Sequence, residues 1–219
     1  MNKHKGLIFD LDGVIVDTAK FHFIAWRKLA NDLGFDITEE QNEQLKGVSR
    51  VHSLQKILKW GEIELCEEEF KKQTTQKNEN YLSYVEKMDE SEILPGVRKV
   101  IDYLSEKNIP FALGSASKNA PLILEKIGLY EEFDAIVDGN DVSKAKPSPE
   151  VFLVAAEKLG LAAEDCIVFE DSVAGIQAAN NAKMISIGIG EKEVLHEANY
   201  VFPDFTAITT EFIEELLNK

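Results

Sequence analysis

Cysteine is scarce: the 219 residues contain two, Cys66 and Cys166, and no CxxC pair. That excludes a disulfide framework and a thiolate zinc site, and it suits a reducing, cytoplasmic compartment. Histidine is almost as sparse, with His4, His22, His52 and His196 scattered and no HExxH pattern, which argues against a zinc hydrolase. Positive charge is short as well. Lys and Arg total 24 against 39 Asp and Glu, a formal net charge of −15. A surface of that sign repels phosphate backbones, so no nucleic-acid partner is expected. Long apolar runs are missing too: Leu7-Ile8-Phe9, behind a basic start, ends at Asp10. Such a run is too brief for a signal-peptide core or a membrane span, so no membrane partner is expected. Repeats and low-complexity tracts do not occur.

What remains is a globular composition, 44% hydrophobic and 29% charged, in a chain long enough to bury a core without cross-links. Lys5 to Phe9 reads as a buried strand halted by an acidic turn. From Thr18 to Leu33 the apolar residues Phe21, Ala25, Trp26, Leu29 and Ala30 recur at helical spacing, with Gly34 as a stop. Thr38 and Ser49 are placed to cap helices ending near Gly47 and Gly61, and residues 67–87 have a long helical period. After Pro95-Gly96 the pattern alternates. Helices are expected over 97–107, 119–127, 150–159, 173–182 and 210–217. Strands are expected at 110–114, 135–137, 166–169, 184–187 and 200–202. Alternation of this kind implies a parallel sheet covered on both faces. The expected architecture is a Rossmann-like α/β core of residues 1–17 and 92–219, interrupted by an all-helical cap of residues 18–91. No exposed apolar helix face stands out, and a monomer is expected.

The most informative stretch is Asp10-Leu11-Asp12-Gly13-Val14-Ile15-Val16-Asp17. A chance DxDGxxxD match in a chain of this composition has an expectation on the order of 10⁻³. The motif follows a strand, and in an open α/β sheet ligands sit beyond the carboxyl ends of strands. Side chains two apart on extended backbone face the same way, so Asp10 and Asp12 converge. Three later segments belong to the same sheet edge. Ser115-Ala116-Ser117-Lys118-Asn119 leaves a strand and opens a helix, with hydroxyls and free N–H groups suited to a phosphate. Lys146-Pro147 leaves a loop and opens another helix. Glu170-Asp171-Ser172 ends a strand with two carboxylates.

Singly, these read as a Ser N-cap, a solvated lysine and an acidic first turn; together they form a chemistry. Asp10, Glu170 and Asp171 make a crowded carboxylate cluster that calls for a cation. Hard oxygen donors with an incomplete shell suit Mg²⁺. A carboxylate beside the ion can attack phosphorus, with Lys146 and Ser115 holding oxygens in transit. Asp12 is then placed to exchange a proton with the leaving or entering oxygen.

In order and spacing these four motifs resemble those of the haloacid dehalogenase-like phosphotransferases, and the resemblance covers essentially the whole chain. It implies Asp10 as nucleophile and Asp12 as general acid–base. Asp10, the Asp12 carbonyl, Glu170 and Asp171 would bind Mg²⁺. The cap segments Thr18, His22-Phe23, Ala25-Trp26, 42–50, 53–58 and Lys77-Asn78 are similar to those of the β-phosphoglucomutase subfamily. That likeness implies sugar phosphates as substrates. It also implies that Arg50, with Ser117, Lys118 and Asn119, grips the phosphate not being transferred, next to Ala116. Leu45, Lys46, Gly47, Val48 and Ser53 would border the sugar and its phosphates. His22 and Lys77 would orient Asp12, with Thr18 near the hinge. Against the acidic background, Lys46, Arg50, Lys77, Lys118 and Lys146 would have to gather in one cleft. Residues 59–76 match no motif. A sugar-phosphate phosphatase on the same scaffold is the alternative, with water taking the phosphoryl group. A signalling receiver domain shares the strand-end carboxylates, hydroxyl and lysine but needs no insertion as long as 18–90. A catalytically silent binding module would not need every proposed ligand.

Overall fold

The computed structural model describes residues 5–45 and 48–218. Six parallel strands form one sheet in the order β3-β2-β1-β4-β5-β6. The strands are β1 (Gly6–Phe9), β2 (Phe111–Gly114), β3 (Ala135–Val137), β4 (Cys166–Glu170), β5 (Ile185–Ile189) and β6 (Tyr200–Phe202). The expected strands all form. Two run further than their apolar patterns suggest: β4 continues to Glu170 and β5 to Ile189, because Glu170 pairs with Gly188. A charged residue ending an apolar run is held in the ladder by its neighbour's backbone.

Alternation along the central strands assigns the helices to layers. Leu7 and Phe9 of β1, with Ile167 and Phe169 of β4, face one buried cluster. That side carries α5 (Val97–Glu106), α6 (Ala120–Lys126) and α9 (Thr210–Leu217) through Val100, Ile101, Leu104, Ile123, Ile213 and Leu216. Ile8 and Val168 face the other cluster, covered by α7 (Glu150–Lys158) and α8 (Val173–Asn181) through Phe152, Ala155, Ala178 and Ala179. Phe9 stacks on Phe169 at 5.0 Å between centroids, a contact worth about 1 kcal/mol beyond the area buried.

Between β1 and β2 the chain forms α1 (Ala19–Asp32), α2 (Glu39–Glu43), α3 (Arg50–Trp60) and α4 (Glu67–Val85). Thr38 caps α2 in a reciprocal box with Gln41, and the Ser49 hydroxyl accepts from the His52 amide at the start of α3. α2 is shorter than expected, since Gln44 closes it; Lys46 and Gly47 lie outside the described residues. Trp26, Leu29, Ala30, Ile37, Leu54, Ile57 and Leu58 form a separate buried cluster. Segment 59–76, which carries no motif, packs on it through Trp60, Ile63, Leu65 and Phe70. Among the described residues, no helix is long and apolar enough to cross a membrane.

Candidate active site

Parallel strands deliver their carboxyl ends to one edge, and register decides what meets there. Phe9 of β1 is level with Leu113 of β2 and Phe169 of β4. The next residues are therefore neighbours: Asp10, Gly114-Ser115 and Glu170. The Asp10 amide donates to the Phe169 carbonyl at 3.0 Å, and the Ser115 amide to the Val137 carbonyl at 3.0 Å. Both side chains thus leave the sheet from fixed backbone.

The four separate motifs meet in this place. Lys146 Nζ lies 2.6 Å from Asp10 Oδ1 and 2.7 Å from Glu170 Oε2, with its side chain 2% exposed. Burial disfavours that ammonium, and the two carboxylates more than reverse this, raising its pKa above the ordinary lysine value. The helix after it begins only at Glu150. Lys146 therefore belongs to the preceding turn rather than to a helix start, because Pro147 and Pro149 defer the first helical hydrogen bonds. The Lys146–Pro147 peptide is cis.

Glu170 is tied from its other side. Its Oε1 accepts from the Ser172 hydroxyl at 2.7 Å and the Ser172 amide at 3.0 Å, while Ser172 Oγ accepts from the Gly175 amide at 3.0 Å. A Cβ at Gly175 would stand 1.9 Å from Glu170 Cδ, and one at Gly13 would stand 2.1 Å from Asp171 Oδ2. Only glycine leaves these carboxylates their space. Gly13 also has φ +76°, so the turn needs glycine for its backbone as well.

Asp10, Glu170 and Asp171 each present a carboxylate oxygen, all within 4.8 Å of one another. The electrostatics show that this cluster is short of positive charge. Burial, then Glu170, push the Asp10 carboxyl up to about 8, although Lys146 opposes them. An all-oxygen donor set that one ammonium does not satisfy fits a divalent cation. Asp12 is half-buried beside it, and burial raises its carboxyl above the usual range. The Thr18 hydroxyl donates to Asp12 Oδ1. Asp17, the last carboxylate of the motif, is exposed and accepts from the Ala19 amide at 3.0 Å, so its use is to start α1.

A cavity of about 490 Å³ opens over these groups. Asp10, Asp12, Ser115, Lys146, Glu170 and Asp171 line it, as do His22, Leu45, Val48, Arg50, Ser53, Lys77, Ala116, Ser117, Lys118 and Asn119. Of the described residues expected at the site, Thr18 alone is set back behind Asp12. Lys77 is buried; its Nζ lies 2.8 Å from His22 Nδ1 and 4.3 Å from the Trp26 ring centroid. Burial and Arg50 lower the Lys77 pKa well below the ordinary value, and burial, Lys77 and Arg50 do the same to His22. A neutral imidazole beside Lys77 follows.

The loop after β2 differs from expectation in one respect. The Ser117 amide donates to Ser115 Oγ at 3.1 Å and the Asn119 amide to Ser117 Oγ at 3.3 Å. Serine hydroxyls two residues back compete for these N–H groups, so they are not free for a phosphate. Side chains must do more of that work. Asn78 and Trp26, which belong to the cap segments singled out in the sequence without a role of their own, also line the cavity; Asn119 Nδ2 donates to Asn78 Oδ1 at 3.1 Å, bridging the loop to α4.

A family model of haloacid dehalogenase-like hydrolases matches residues 4–183. The chain is 38% identical to a β-phosphoglucomutase of Bacillus subtilis over 213 residues, covering 96% of this chain and 94% of that one. It is 32% identical to a phosphorylated carbohydrates phosphatase of Thermotoga maritima, covering 81% of each. The crystal structure of a β-phosphoglucomutase from Clostridium difficile superposes with a TM-score of 0.93 at 41% identity, covering 98% and 97%.

Proposed function

The chain belongs to the haloacid dehalogenase-like hydrolase family, and from that premise we propose that it is a β-phosphoglucomutase. It interconverts β-D-glucose 1-phosphate and D-glucose 6-phosphate through an aspartyl-phosphate on Asp10 and β-glucose 1,6-bisphosphate. In this reading residues 18–91 are a cap domain over the core. The observation that carries the proposal is that cations from both sides line one cavity: Lys118 and Lys146 from the core, Arg50 from the helical segment. A ligand with phosphate at both ends needs that.

Asp10 attacks phosphorus, the bond to the sugar oxygen breaks, and that oxygen takes a proton from Asp12. In the reverse half, Asp12 removes the proton of the entering sugar hydroxyl as it attacks the aspartyl-phosphate. Lys146 fixes Asp10 and offsets charge on the phosphoryl oxygens, with Ser115 as a hydroxyl donor. Mg²⁺ held by Asp10, the Asp12 carbonyl, Glu170 and Asp171 would neutralise the same oxygens. Arg50, Ser117, Lys118 and Asn119 hold the other phosphate, while Leu45, Val48, Ser53 and Ala116 border the sugar. The enzyme so read is cytoplasmic and monomeric. The similarity to a carbohydrate phosphatase favours one second reading, in which water accepts the phosphoryl group.

Arg50→Ala separates the two. Losing a charge-assisted phosphate contact costs several kcal/mol, so mutase turnover should fall by about 10² or more. Release of free phosphate should persist. A proportional loss of both would favour the phosphatase.

A further inference from the structure

The positive charge of the site continues outward along α3. That helix carries Arg50, Lys56 and Lys59 and no Asp or Glu, in a chain of net charge −15. His52, Lys56 and Lys59 are exposed, and their spacing of four and three residues puts them on one side of the helix. The Lys56 ammonium donates to the Gln44 carbonyl at 2.9 Å, an uncharged partner that holds it without neutralising it. Among the described residues, neither Lys56 nor Lys59 pairs with a carboxylate, whereas Lys20, Lys28, Lys71 and Lys158 on other surfaces each do.

These side chains wall a recess of about 410 Å³ between α3 and the segment before Pro147. Val48, Ser49, His52, Ala145 and Lys146 line both the recess and the catalytic cavity, so the two adjoin. Gln55, Lys56 and Lys59 line the recess alone. Lys59 stands about 13 Å along the helix from Arg50, at 1.5 Å per residue. No carboxylate lines the recess among the described residues; Glu62 and Glu64, which follow α3, are not part of its wall. A concave surface of one sign focuses its field and concentrates ions of the other.

We propose that this recess is an anion-docking site at the entrance to the catalytic cavity, where Lys56 and Lys59 draw a phosphate ester in by its charge. The ligand class rests on the reading of Asp10 as the phosphoryl-transfer group, and not on which sugar is used. Each phosphate brings about two negative charges, so a bisphosphate is drawn more strongly than a monophosphate. The attraction acts on charge that bound substrate and transition state share. It therefore lowers KM and leaves kcat alone.

Lys59→Glu tests it, alongside the double variant Lys56→Met/Lys59→Met. Both remove two positive charges, but only the second gives up the hydrogen bond to Gln44. At low salt each should raise KM for β-glucose 1-phosphate about fivefold, with kcat within about twofold. The half-saturating concentration of β-glucose 1,6-bisphosphate should rise about 25-fold, since doubling the ligand's charge squares the factor. At about 0.5 M NaCl both effects should shrink to within about twofold. Lys107→Glu makes the same charge change at the end of α5, before β2 and at the opposite edge of the sheet, and should leave KM in place. p-Nitrophenyl phosphate is assayed in parallel. If the wild type turns over the aryl ester and not the sugar phosphate, the mutase reading fails while the KM of the ester and its salt dependence still decide the recess. Unchanged KM in Lys59→Glu at low salt overturns the proposal. So does an equal rise in Lys107→Glu, or a rise that persists undiminished in high salt.

Discussion

Asp10→Asn should abolish turnover and yet make the fold more stable. Burial and Glu170 push the Asp10 carboxyl from 3.8 up to about 8, so the folded protein keeps a proton that the unfolded chain releases. The sign follows from linkage: stability from this group is complete below about pH 4 and is lost as the pH rises towards 8. At about 1.4 kcal/mol per pH unit, the wild type gives up roughly 4 kcal/mol by pH 7 in chelator. Asparagine has no proton to lose, and its carbonyl oxygen can keep the 2.6 Å contact with Lys146 Nζ. For a chain of this size 1 kcal/mol is about 2–4 °C, so the melting temperature at pH 7 should rise by on the order of 10 °C. At pH 5 the gain should shrink to a few degrees. Scanning fluorimetry of both proteins in excess chelator at the two pH values reads this directly. A variant that melts at or below the wild type at pH 7, or that gains more at pH 5, would refute the charge argument. Detectable multiple turnover by the variant would refute the nucleophile.

Asp171→Ala should weaken Mg²⁺ binding, measured by titration calorimetry, and excess chelator should silence the wild type; Ca²⁺ should bind yet support little turnover, since its looser shell misplaces the reacting oxygens. Gly175→Ala should lower metal affinity by about 10–100-fold, because its Cβ would lie 1.9 Å from Glu170 Cδ; an unchanged affinity would show that Glu170 is not held there. In the native protein a thiol reagent should modify Cys66 alone. Cys66 is exposed, whereas Cys166 is buried with its thiol pushed up to about 11, and it should react only on unfolding.

The sheet was legible because each strand is a short apolar run bounded by a turn signal, and because helices alternate with strands after Pro95. The carboxylates were legible for a related reason: strand-end position and alternation place Asp10, Asp12 and Glu170 without tertiary information. What could not be read depends on contacts between distant segments. Gly175 resembles any helical glycine until Glu170 is set against it. The amides of Ser117 and Asn119 look free until local hydroxyls are seen to take them. Segment 59–76 has no motif because its use is packing, with Trp60, Ile63, Leu65 and Phe70 closing a cluster begun on α1 and α3.

The most direct test of the central claim supplies β-glucose 1-phosphate, Mg²⁺ and a trace of β-glucose 1,6-bisphosphate to the wild-type enzyme. Glucose 6-phosphate and free phosphate are then followed in the same sample. The account predicts glucose 6-phosphate forming in large excess over phosphate, with both halted by chelator. Phosphate released in step with consumption of the sugar phosphate, and no glucose 6-phosphate, would contradict it.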